Sequence, residues 1–188
     1  MGKSNPVIST ADKKRAFRAQ IRAARLQLSS EEVQNKSRII CERAIGAIMW
    51  SRIRNLHCFT SIKEAKEVDT ADIFEYAWQN FPNVTTYTTL MVGKEWKAGR
   101  ATEGLFAETF TALPKFDVII VPMLAFDAKL NRLGYGKGYY DRFLATQPQA
   151  VKIGLCFELG HLPSLPIEPH DVPMNIIITE KLLKPQVR

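Results

Sequence analysis

Three apolar runs set the strongest limit on how this chain can fold: "FDVIIVP" at 116–122, "VKIGLCF" at 151–157 and "NIIIT" at 175–179. A strand with one face in water alternates apolar and polar residues, and these runs do not alternate. They read as strands buried on both faces. "NLHCFT" at 55–60 adds a short buried strand, and "VTTYTTL" at 84–90 has the β-branched and aromatic composition of another. Helix-like segments lie between these strands. The predicted fold class is therefore α/β: a single three-layer domain over residues 1–188, with a mostly parallel sheet covered by helices on both faces.

The chain opens on a predicted helical hairpin. Phe17, Ile21, Ala24 and Leu28 recur at helical spacing within a helix from Thr10 to Leu28, and Lys14, Arg18, Arg22 and Arg25 form a second stripe beside them. Ser29 and Glu32 have capping-box spacing and start a second helix running to about Trp50. A third helix is predicted from Asp69 to Gln79, with Asp69 or Thr70 as its cap. Residues 91–115 mix glycine, charge and aromatics without a sustained period and are expected to be irregular.

Charge is concentrated in that hairpin. The chain carries a formal net charge of +7, but residues 1–54 hold 12 Lys or Arg against 4 Asp or Glu, whereas the remainder holds 14 against 15. A local basic region suits nucleic acid or a polyanionic small molecule such as a nucleoside triphosphate. Cys41, Cys58 and Cys156 are far apart and show no C-x-x-C spacing, which argues against a disulfide framework or zinc site and for reduced, buried thiols. The first residues lack the apolar core of a signal peptide, and no run approaches a membrane span. A soluble, cytoplasmic protein is expected.

The stretch "NRLGYGKGYYDRFL", 131–144, follows a strand and leads into a helix-like segment. Strand, glycine-rich loop and helix in that order can hold phosphate, because glycines let backbone N–H groups approach an anion. Lys137 and Arg132 add positive charge. The G-x-G-x-G spacing matches neither the phosphate-loop pattern nor the dinucleotide pattern, and the glycines alone are equally compatible with a turn flanked by solvated charges.

The whole string is more specific than its glycines. It resembles the signature of the 5-formyltetrahydrofolate cyclo-ligase family, also called methenyltetrahydrofolate synthetases. The family's strand ending in V-P, its F-D and its R-L-G-x-G-K-G-Y-Y-D fall here on Val121 and Pro122, on Phe126 and Asp127, and on Arg132 to Asp141. Lys14 and Arg18 fit its N-terminal K-x-x-x-R helix. "EVDT" at 67–70 and "LPIEPHDVPMNIIITE" at 165–180 fit two further segments. There are departures. Two extra residues lie between Phe59 and Glu67, a strand-proline and a later G-x-x-E-P are missing from residues 84–115, Gly160 stands where glutamine is usual, and Asn175 where aspartate is usual.

The resemblance implies ATP-dependent cyclisation of 5-formyltetrahydrofolate to 5,10-methenyltetrahydrofolate, with Mg²⁺ as cofactor and ATP as co-substrate. It implies ATP contacts from Lys14 and Arg18, and from Arg132, Leu133, Gly134, Tyr135, Gly136 and Lys137. Gly138, Tyr139 and Tyr140 complete that nucleotide set, with Tyr139 open to a core role instead. Catalytic roles fall on Lys137, Arg132 and Tyr140. Glu67 and Tyr140 are the expected folate contacts, and Asp141 and Asp171 the expected magnesium ligands. Arg22 and Arg25 are left as surface residues, and His57 as a core residue. The small molecules are the expected partners of a monomer, with no nucleic acid or membrane. One alternative is a paralogue that binds ATP but acts on another substrate or none. A more distant one is a nucleic-acid-binding module using the basic helices.

Overall fold

The computed structural model describes residues 9–92, 95–102, 105–109, 113–181 and 183–185. Helix α1 spans Thr10–Leu26 and α2 spans Ser30–Ala47. Both N-termini are capped by serine. Ser9 Oγ accepts from the Asp12 N–H, and at α2 the capping box is complete: Ser29 Oγ accepts from the Glu32 N–H while the Glu32 carboxylate accepts from the Ser29 N–H. Helix α2 ends before Trp50, which instead opens a 3₁₀ turn, Trp50–Arg52. Helix α3, Ala71–Asn80, starts after Thr70. The Thr70 hydroxyl donates to the Phe59 carbonyl, while Asp69 Oδ1 accepts from the Ala71 N–H.

Eight strands form the main sheet: β1 (Asn55–His57), β2 (Thr85–Val92), β3 (Glu95–Thr102), β4 (Leu105–Thr109), β5 (Val118–Pro122), β8 (Val151–Leu155), β9 (Ile176–Ile178) and β10 (Leu183–Pro185). A separate antiparallel ribbon pairs β6 (Ala125–Phe126) with β7 (Arg132–Leu133). Strand order in the main sheet is β10-β9-β8-β5-β1-β2-β3-β4. The five strands from β9 to β2 pair in parallel, and antiparallel strands flank them on both edges.

The continuous apolar runs are explained by what lies on each face. Val118 and Ile120 of β5 pack with α2 and α3 residues such as Ile40, Ala44, Ile73 and Phe74. Ile119 and Val121 pack on the opposite side with Phe143 and Leu144 of α4 (Tyr139–Ala145). The same division recurs in β9, where Ile178 belongs to one cluster and Ile177 to the other. Burying a side chain of this size contributes about 1.5–3 kcal/mol, so neither face of β5 tolerates a polar residue cheaply.

Residues 91–115 differ from expectation. Rather than being irregular, they contain the end of β2 and the whole of β3 and β4, with the β2–β3 register running from Thr86↔Ala101 to Val92↔Glu95. The β3–β4 register shifts between Gly99 and Arg100, a bulge that breaks the two-residue period along the chain. Pairing with β2 stabilises a ladder that the local sequence does not announce.

Between β6 and β7 the chain turns around Asp127, which is buried. Its carboxylate accepts from the N–H groups of Lys129, Asn131 and Leu165 at 2.9, 3.1 and 3.0 Å, and from Asn131 Nδ2 at 3.0 Å. This carboxylate fixes the turn that delivers Arg132 and the glycine stretch. Helix α1 lies over the ribbon, with Ile21 packed among Leu124, Ala125, Leu133 and Leu165.

Candidate active site

A cleft of about 590 Å³ opens where β1 and β5 end. Ligands of open parallel sheets commonly bind outside the carboxyl ends of the strands. Phe59, Thr60 and Pro122 lie at those ends, and Thr89 of β2 lies beside them. Lys14, Arg18 and Arg22 of α1 line the cleft, as do residues 132–141 and the group Glu168, His170 and Asp171.

The glycine stretch owes its shape to positive φ angles at Gly136 (93°) and Gly138 (65°). Arg18 braces it: its Nε donates to the Gly134 carbonyl at 2.9 Å, and a Cβ on Gly136 would lie 3.0 Å from Arg18 Cζ. The following helix α4 has only seven residues, so the loop backbone rather than a long helix dipole is the feature suited to phosphate. Gly136→Ala combines backbone strain of about 1–2 kcal/mol with displacement of Arg18. It is expected to weaken ATP binding about tenfold; unchanged affinity in calorimetry would reduce the stretch to a turn.

Lys14 is 5% exposed, and its Nζ donates to Asp171 at 2.6 Å and to Glu168 at 2.7 Å. Burial disfavours its charge, but the hydrogen bonds to the two carboxylates prevail and raise its pKa. Arg132, also buried, pairs with Asp141, and its guanidinium lies 5.8 Å from the centroid of the Tyr140 ring. Burial pushes the Tyr140 hydroxyl pKa upward, opposed by a hydrogen bond with Thr89. Lys137 is exposed, with Nζ 6.0 Å from the centroid of the Tyr139 ring. Arg142 approaches the same ring at 5.2 Å, and Tyr139 lines the cleft rather than the core.

Glu67 is buried at the inner end of the cleft, where Oε2 accepts from the Ile62 N–H at 2.7 Å. The segment with the two extra residues contains a 3₁₀ turn, Lys63–Ala65. It is tied down by Lys66, whose Nζ donates to the carbonyl of Leu26, the last residue of α1, and to that of Leu28 just beyond it.

The cleft thus gathers every residue expected at the site: Lys14, Arg18, Glu67, Arg132 through Asp141, and Asp171. Asp171 has Glu168 and His170 beside it, with one donor atom of each residue within 4.8 Å of the others. Asp141 does not belong to that group and is held by Arg132. The surface assignment holds for Arg22, which is exposed, and requires correction for Arg25. Arg22 lines the cleft, while Arg25 is 5% exposed and donates to the Tyr135 hydroxyl. The helical stripe with Lys14 and Arg18 was the available signal, and its buried members, Lys14 and Arg25, face inward. Glu168 carried no comparable signal.

His57 is fully buried against Phe116 and Phe143, and burial lowers its pKa to about 3. Its Nε2 lies 3.2 Å from Thr89 Oγ1, an arrangement that suits the core role expected for a neutral imidazole. Gly160 and Asn175 do not line the cleft. A Cβ at Gly160 would lie 2.4 Å from the Leu124 carbonyl oxygen, and Asn175 Oδ1 accepts from the Lys152 N–H at 2.8 Å. Both departures therefore have structural explanations. Among the described residues, no helix is long and apolar enough to cross a membrane.

Cations, mobile and fixed, with carboxylates and a glycine loop at the ends of parallel strands define an α/β protein suited to a polyanion and a second, partly apolar ligand. The model of the 5-formyltetrahydrofolate cyclo-ligase family matches residues 10–180, and the chain belongs to that family. It is 28% identical over 189 residues to a 5-formyltetrahydrofolate cyclo-ligase of Mus musculus, covering 89% of this chain and 93% of the mouse protein. It also resembles the solved 5,10-methenyltetrahydrofolate synthetase of Mycoplasma pneumoniae, with a TM-score of 0.73 and 26% identity, covering 89% of this chain and 98% of that one. The corresponding synthetase of Aquifex aeolicus shares the fold at a TM-score of 0.73 and 24% identity, covering 92% of each chain.

Proposed function

We propose that the protein is an ATP-dependent 5-formyltetrahydrofolate cyclo-ligase. The observation that carries this reading is a single cleft with a glycine loop and cations for phosphate, and a buried carboxylate, Glu67, for the donor edge of a reduced pterin. The formyl oxygen on N5 attacks the γ-phosphorus of MgATP, and ADP leaves. N10 then attacks the formyl carbon and releases its proton to water, and phosphate departs as the 5,10-methenyl bridge forms. The protein's work is to align the two substrates, stabilise the moving phosphoryl charge and exclude water. Lys137 follows the transferring group, Arg132 and Arg18 neutralise phosphate charge, and Tyr140 borders the formyl group. One chain supplies all these residues, so a monomer is the expected working unit.

Asp141 and Asp171 are the proposed ligands for the magnesium of the nucleotide. Carboxylate oxygens suit this hard cation, and Asp171 has a second carboxylate, Glu168, close by. Bound with ATP, the ion neutralises phosphate charge. In the structure Lys14 holds Asp171 and Arg132 holds Asp141. On this reading, the two cations turn from carboxylate to phosphate when MgATP arrives. Asp141→Asn and Asp171→Asn should each raise the magnesium concentration needed for half-maximal activity about tenfold or more. An unchanged magnesium dependence in both would locate the metal elsewhere.

The deciding assay gives the wild type 5-formyltetrahydrofolate and MgATP. Formation of the methenyl product, followed by its near-ultraviolet absorbance, is expected. A protein that binds ATP but neither binds nor converts the folate is the paralogue instead.

A further inference from the structure

Arg25 is a buried cation whose donors this chain leaves largely unsatisfied. It is 5% exposed, and among the described residues its guanidinium makes one hydrogen bond, donated to the Tyr135 hydroxyl, while its buried Nε has no partner. No carboxylate lies in ion-pair contact with it among those residues. A guanidinium carries five N–H donors, and a buried charge is ordinarily paired and hydrogen-bonded because taking it out of water is unfavourable. Arg25 therefore holds donors in reserve.

Those donors border the inner end of the cleft. A cavity of about 10 Å³, room for a single water-sized group, is lined by Arg25 together with Phe59, Glu67 and Pro122. The last three also line the main cleft, so the cavity adjoins the cleft floor at Glu67. Apart from Arg25, Glu67 and the Cys156 thiol, its side chains are apolar. Glu67 and Arg25 do not neutralise each other there: the carboxylate accepts from the Ile62 N–H at 2.7 Å, and the guanidinium is turned to Tyr135. An acceptor group and a donor group share one small cavity without forming an ion pair.

We propose that Arg25 is a specificity-determining residue that donates to the carbonyl oxygen of the pterin ring. The inference rests on the folate role proposed for Glu67. One edge of a reduced pterin presents an amino group and a ring N–H side by side, followed by a carbonyl oxygen. Glu67 supplies acceptors for the first two, and Arg25 the donor for the third. The ring stays in the cleft, and only its carbonyl oxygen, about the size of a water oxygen, enters the inner cavity. A ring with an amino group in place of that carbonyl would turn its own hydrogens toward a cation, and the site rejects it.

Calorimetry with two ligands tests this: 5-formyltetrahydrofolate and its 4-amino-4-deoxy analogue, in which an amino group replaces the carbonyl. The wild type should bind the carbonyl form at least about tenfold more tightly. In Arg25→Met the Kd for the carbonyl form should rise about tenfold, within the range for a hydrogen bond to a charged group, while that for the amino form changes less than about twofold. The Kd for a non-hydrolysable MgATP analogue should also stay within about twofold. Arg25→Gln, which keeps an uncharged donor, should lose part of the preference and supplies the same reading where methionine destabilises the chain. Equal weakening of both folates would make Arg25 a structural residue and overturn the inference, as would a wild type that does not distinguish them. If the wild type converts the folate and Arg25→Met keeps the preference, this inference alone fails. A wild type that binds no folate removes the proposed function and this inference with it.

Discussion

Lys137→Met is expected to lower turnover about 100-fold or more while leaving the fold and folate affinity intact. The reason lies in how differently the cleft's cations are held. Lys14 and Arg132 are buried in ion pairs, whereas Lys137 is exposed on the loop, near the Tyr139 ring, with no carboxylate partner among the described residues. A long, mobile ammonium can follow charge as it moves from ATP to the formyl oxygen. It then binds the transition state more tightly than either ground state, the condition for raising kcat. Methionine preserves an unbranched stem without the charge. Steady-state kinetics checks the result, and near-normal kcat would remove Lys137 from the chemistry.

Glu67→Gln should weaken 5-formyltetrahydrofolate binding by ~1.5–3 kcal/mol, the contribution of a hydrogen bond to a charged group. ATP affinity should change little. Glutamine matches glutamate in shape and can still accept from the Ile62 N–H, so the buried site keeps its packing. What it loses is the charge that receives the pterin donors, and its amide presents a donor where two acceptors stood. Titration of each ligand separately tests the asymmetry. Equal losses for both ligands would make Glu67 a structural residue of the cleft floor.

The parts of the fold legible in the sequence were those whose local pattern and tertiary setting agree. The runs around β5, β8 and β9 are largely apolar because each face meets a separate cluster, and the capping box at Ser29 is entirely local. The β3–β4 extension was hidden because a bulge at Gly99 and Arg100 breaks its period and its stability comes from pairing with β2. At the site, the glycine stretch and Lys14 were identified by a family pattern. Arg25 was not: a basic residue on a helix resembles a solvated one until Tyr135, 110 positions away, is placed against it. Glu168 was obscure for a similar reason, since its part depends on Lys14, 154 positions earlier.

That same bond between Lys14 and the segment around Asp171 constrains the order in which a growing polypeptide becomes competent. Helix α1 is synthesised before its seat, which consists of Leu124, Ala125, Leu133 and Leu165, and its lysine meets a carboxylate 157 positions later. Contacts so distant in the chain form late. Helix α1 is thus among the last elements to dock, and a nascent chain halted before residue 171 has its glycine loop but lacks the carboxylate that holds Lys14. Ligand-assisted folding at the Lys14 end of the cleft is therefore confined to chains extended past residue 171.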